Sequence, residues 1–228
     1  MAAIETFALF GLDHYIFSTM TTAPIVTDNS AVLAEFVGGQ ASDVSMMIGI
    51  GLVKESDAVF FQYLGEEQQP RALMMPSGKP LTRFSNVTLS GVDIAEKVGE
   101  FNSTKLNLYL ESNQGRIIML TSGLTTHWSQ CIITALMGMF NSYDLQTPFV
   151  LDSWKGTSKM RPCFACVRIG KNKISDQMIY DQLADARSDR DKAKVERIMR
   201  DSVEILRHAT ETNPAEITVH TTTEEGEF

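Results

Sequence analysis

An α+β fold is predicted by three features of this 228-residue chain. Short β-prone runs follow one another densely between residues 43 and 173, and residues 105–111 alternate strictly between apolar and polar. A helix-length segment at 127–140 is apolar nearly all round, and residues 175–209 are charged and helical in pattern. At 43% hydrophobic, the chain can bury one sizeable core, or one domain with appendages.

Residues 1–42 mix short apolar runs with Thr, Pro, Asn and Gly and read as an irregular N-terminal arm. The segment 44–53 is apolar and punctuated by Gly49 and Gly51, which suggests a strand with a bend. Residues 58–64 are rich in β-formers, whereas the Pro and Gly content of 70–80 marks a loop. A further strand is expected at 81–89 and a short helical turn at 92–98. Within 105–111, Leu106, Leu108 and Leu110 share one face and Lys105, Asn107 and Tyr109 the other. Asn113, Gln114 and Gly115 then turn the chain into a second strand at 116–120, a β-hairpin. Thr125 or Thr126 caps the helix at 127–140, which must be buried on several sides, within the domain or at a subunit interface. Two strands, 148–154 and 163–169, flank a polar loop. In 175–209, apolar residues from Ile179 to Leu206 fall near heptad spacing, and the Ser188–Asp191 segment restarts the helix.

Strand, hairpin, helix and two more strands is the order of an OB-like β-barrel with its helix between the third and fourth strands. The expected organisation is therefore an arm (1–42), an OB-like β-barrel domain (43–173), a charged C-terminal helix or helical hairpin (174–210) and a flexible acidic tail (211–228).

The formal charge of −8 gives no chain-wide basic footprint, so a nucleic-acid partner would need a local patch. Three cysteines suit a reducing compartment better than a disulfide scaffold. The first 17 residues carry Glu5 and Asp13 without a basic start, so no signal peptide is expected. No run of apolar residues is long enough to cross a membrane. These features predict a cytoplasmic protein.

The local patch exists. Between Trp154 and Lys173 the chain holds Lys155, Lys159, Arg161, Arg168, Lys171 and Lys173 with no acid. Trp154 and Phe164 are interleaved with these cations, and alternation puts Phe164 and Arg168 on one face of their strand. An aromatic beside cations on a sheet stacks unpaired bases and neutralises phosphates. The competing interpretation is a core Phe, a core Trp and a solvated loop of Lys. Tyr109 and Lys105 would extend the same surface.

Cys163 and Cys166 form a C-x-x-C inside a strand, where odd spacing sends the thiols to opposite faces, so buried structural cysteines are expected. Ser77, Gly78 and Lys79 lack the upstream glycine of a phosphate-binding loop and precede Pro80. His127, at a helix start, has no identifiable nucleophile or orienting acid and is read as a capping-region residue. No catalytic residue, metal or cofactor is expected.

The C-terminus reads Glu224, Glu225, Gly226, Glu227, Phe228, and no Lys or Arg follows Glu211. A solvated acidic peptide with one terminal aromatic fits a basic, apolar-floored pocket on a partner. This ending resembles the tails of single-stranded-DNA-binding proteins of bacteria and phages. The resemblance implies a non-enzymatic protein that binds single-stranded DNA; the residues themselves do not distinguish DNA from RNA. It also implies that the tail recruits replication or recombination proteins. A homo-oligomer is expected from the surplus of apolar helix face. The alternative is a structural self-assembling protein, such as a phage or shell component. Such a protein would bury the 154–173 stretch against acids, where a nucleic-acid binder would leave it open.

Overall fold

A computed structural model describes residues 46–64, 69–98 and 102–211. The expected N-terminal arm and the tail residues Glu224, Glu225, Glu227 and Phe228 lie outside the described residues. The first three strands are β1 (Met46–Ile50), β2 (Phe60–Leu64) and β3 (Gln69–Ala72). They are followed by β4 (Arg83–Val98), β5 (Ser103–Ser112) and β6 (Ile117–Gly123). After helix α1 (His127–Ser142) come β7 (Phe149–Lys155), β8 (Cys163–Ile169) and β9 (Asn172–Ile174), then α2 (Gln177–Ser188) and α3 (Lys192–Glu211).

The strands form one open nine-stranded sheet in the order β3-β2-β1-β6-β5-β4-β7-β8-β9. Every neighbouring pair is antiparallel except β1 with β6. This overturns the expected OB-like barrel. A barrel closes its ladder, whereas among the described residues β3 and β9 are the sheet's two open edges, and α1 follows six described strands rather than three. The parallel pairing of β1 with β6 joins segments about seventy residues apart, with Met46 opposite Ile118 and Ile48 opposite Leu120. No local pattern announces such a pairing.

Two local misreadings contributed to that error. Residues Arg83–Val98 are one long strand, where a strand at 81–89 and a helical turn at 92–98 were expected. A bulge lies between the two expected elements: the register of β4 on β5 shifts between Leu89 and Gly91, and the Tyr109 ring lies over Gly91. The supposed loop at 70–80 begins with β3, an edge strand that tolerates Pro70 because its missing N–H is not needed on the outer side.

The alternation in β5 carries the core. Leu106, Leu108 and Leu110 are fully buried and face Ile118 and Leu120 of β6 and Leu89 and Val92 of β4. Above them lie Trp128, Ile132, Ile133 and Leu136 of α1. Thr126 caps α1 from extended backbone (φ −66°, ψ 157°), its hydroxyl accepting the Ser129 amide at 3.3 Å. Helix α3 presses Val195, Ile198, Met199, Val203 and Leu206 inward over β4, and Arg200 pairs with Glu96 on that strand. Most of the apolar surface of α1 and α3 is thus buried inside the chain, with Phe140 and Ile205 left exposed.

The sheet is strongly coiled. In a flat sheet, four strand spacings would hold β2 and β4 roughly 19 Å apart. Yet Phe60 and Phe84 meet edge to face with ring centroids 4.8 Å apart. The same coil brings the loop after β1 against the β7–β8 hairpin, where the Lys155 Nζ donates to Val53 O and Ser56 O, both at 2.6 Å. Arg161 donates to Glu55 O at 3.2 Å and pairs with Asp57. Side chains rather than a ladder therefore fasten this end of the sheet. No helix among the described residues is long and apolar enough to cross a membrane.

Candidate nucleic-acid interface

A groove of about 420 Å³ opens where α1, the β7–β8 hairpin, β9 and α2 converge. Helix α1 is not apolar all round. His127, Gln130, Cys131 and Thr134 recur at helical spacing and form a polar stripe along the groove. From the sheet come Trp154 and Phe164, opposite each other across β7 and β8. Their rings stack at 6.1 Å and 26°, and His127 stacks on Phe164 at 5.6 Å and 17°. Gly156 makes room for this arrangement, since a Cβ there would stand 2.9 Å from the Phe164 ring. Trp154 is 45% exposed and Tyr180, on the α2 wall, 51%. Lys173 and Arg187 supply the positive charge.

Residues 154–173 divide sharply by role. Phe164, Cys166 and Arg168 share a face, and Lys173 sits opposite Arg168 on β9. Trp154, Phe164 and Lys173 line the groove, and Trp154 is not a core residue. Lys159 and Lys171 are exposed. Three cations are already engaged. Lys155 holds the two carbonyls of the 53–56 loop, and burial pushes its ammonium below the ordinary value. Arg161 is bonded to Asp57, whose carboxyl it holds low, first by hydrogen bonding and then by its charge. Arg168 shares Asp152 with Arg83, which reaches it at 2.6 Å. The stretch that reads as uniformly basic is thus half structural.

Tyr109 does not join the groove. It lies on β5 opposite Gly91, eight positions along β4 from Arg83 and on the order of 25 Å from the Trp154 end of the sheet. Its hydroxyl donates to Asp93 Oδ2 at 2.9 Å, and burial, then Asp93, pushes the phenol up. Asn107 donates to the same carboxylate at 2.8 Å.

The cysteines of the C-x-x-C face opposite sides of β8. Cys163 lies opposite Lys155 and against Gly51, while Cys166 lines the groove with Cys131. Burial pushes both Cys163 and Cys166 up, away from thiolate character. Among the described residues, no group of three or more His, Cys, Asp or Glu side chains could hold a metal ion.

Sequence reasoning missed Gln130, Tyr180 and Arg187, and took His127 for a capping-region residue. The spacing of His127, Gln130, Cys131 and Thr134 was the available signal for the α1 wall. Nothing local marks Tyr180 or Arg187, which enter only because α2 folds back beside α1. Comparisons with protein-family profiles, with curated proteins and with solved structures find no match to this chain.

Proposed function

We propose that the chain is a non-enzymatic single-stranded nucleic-acid-binding protein. The observation that carries this reading is the His127–Phe164–Trp154 stack, which presents an exposed indole at a groove edged by Lys173 and Arg187. A half-exposed tryptophan continuing a ring stack offers its face to another planar ring, and an unpaired base is such a ring. The nearby cations draw the backbone phosphates to the same place. Arg161 and Arg168 face acids as an assembly protein's would, but the aromatic edge and Lys159, Lys171 and Lys173 are open. The open elements favour the nucleic-acid reading. In this proposal the acidic tail competes for the groove and, when displaced, offers Phe228 to replication or recombination partners.

Fluorescence anisotropy with oligo-dT and with duplex of equal length, each at two salt concentrations, tests the reading. Single strands should bind more tightly than duplex, and binding should weaken as salt rises. Absence of binding to long oligo-dT at low salt sinks the proposal.

A further inference from the structure

The cavity beside the groove is walled by different chemistry. It measures about 590 Å³ and is lined by Arg187, Arg190 and Lys192 together with Thr125, His127 and Gln130. The one acid in that lining is already engaged: the Asp191 Oδ1 accepts the Lys194 amide at 2.9 Å as the cap of α3. Three cations against one capping carboxylate leave an excess of positive charge. The two cavities share His127, Gln130 and Arg187, so they adjoin along one wall. That wall is the hydrogen bond from Arg187 Nη1 to Gln130 Oε1, with Gln130 Nε2 fixed by donation to Thr125 O at 2.7 Å. On the groove side, aromatic rings stand on two walls, Trp154 and Phe164 from the sheet and Tyr180 from α2.

We infer that the two cavities form one composite site for a nucleoside phosphate. The base lies between the aromatic walls of the groove, and the phosphate lies against Arg187, Arg190 and Lys192. The inference rests on the nucleic-acid reading above and narrows it, because the ligand becomes a strand with a phosphorylated end rather than a strand interior. A continuous phosphate track is the poorer fit. Lys155, Arg161 and Arg168, which would extend one, are bonded to Val53, Ser56, Asp57 and Asp152. A strand end and a free nucleotide present the same chemistry, and the test separates them.

The full chain is titrated while following Trp154 fluorescence, with the fully buried Trp128 as a constant background. The probes are a short oligo-dT with hydroxyl ends, the same oligonucleotide with a 5′- or a 3′-phosphate, and thymidine monophosphate. One phosphorylated form should bind about tenfold more tightly than the hydroxyl-ended form. The Arg190→Ala/Lys192→Ala double variant, altered only at exposed positions, should erase that difference, the phosphorylated form then binding no better than the hydroxyl-ended one. Equal affinity for all three oligonucleotides overturns the composite site while leaving single-strand binding intact. Binding of the monophosphate but of no oligonucleotide, lost in the double variant, supports the composite site and removes the strand reading. No binding by any probe removes both.

Discussion

Trp154 and Lys155 are neighbours with opposite duties. The indole is exposed and touches Phe164, while the ammonium next to it is bonded into the 53–56 loop. Trp154→Ala should therefore weaken oligo-dT binding by about 1–3 kcal/mol and leave the melting temperature nearly unchanged. Titration and thermal melting of the same samples check both halves of that expectation. At this scale the sequence was informative about direction but not about partners. Period-2 alternation put Phe164 and Arg168 on one face, and the register agrees. It could not reveal that Lys155 and Arg161 are engaged, because Val53, Ser56 and Asp57 lie about a hundred residues earlier in the chain.

Elements were legible where a period ran uninterrupted and obscure where a glycine or proline interrupted it. Strands β5 and β8 and the cap of α1 stand where alternation and Thr126 put them. The β4 segment reads in sequence as a strand to 89 and a helical turn from 92, on either side of Gly91, and the stretch that begins at Pro70 reads as a loop for its Pro and Gly content. Both residues are tolerated by a bulge and by an edge, features fixed by neighbouring strands rather than by the segment itself. One glycine on α1 holds a tertiary contact. A Cβ at Gly138 would stand 2.7 Å from the Ser175 carbonyl carbon, where the chain between β9 and α2 crosses the helix. That crossing is fastened by the Asp176 amide donating to Thr134 O at 2.9 Å and by Asn141 donating to Asp176 Oδ2 at 2.7 Å. Because the obstacle is backbone, it cannot rotate aside. Gly138→Ala should destabilise by about 1–3 kcal/mol despite the better helix propensity of Ala. Chemical denaturation measures the loss, and a variant as stable as the parent would show that the crossing shifts freely. Since α2 carries Tyr180 and Arg187, the same substitution should also weaken ligand binding through displacement of the α2 wall.

At the scale of the whole molecule, a single sheet supplies both the enclosure of the core and the platform for the groove. Coiling lets Phe60 pack on Phe84 across the interior and swings the β7–β8 hairpin round to the loop after β1. The aromatic edge therefore sits beside a fastening that is itself cationic, which is why a stretch of basic sequence serves two purposes. Strand count, strand order and closure escaped the sequence reading because the parallel β1–β6 pairing is set by the whole chain.

The side-chain fastening has a consequence for the order in which the molecule assembles. Its bonds join residues 99 to 106 positions apart in the chain, so they can form only after the intervening strands have aligned. Contacts of that kind are expected to be absent from the folding transition state and to form on its downhill side. Lys155→Ala should then leave the folding rate almost untouched and speed unfolding, with the whole loss of about 1–3 kcal/mol appearing on that limb of the chevron. Slowed folding with an unchanged unfolding limb would place the fastening among the first long-range contacts to form. On the expected outcome, Lys155 sets how long the folded protein persists rather than how fast it arises.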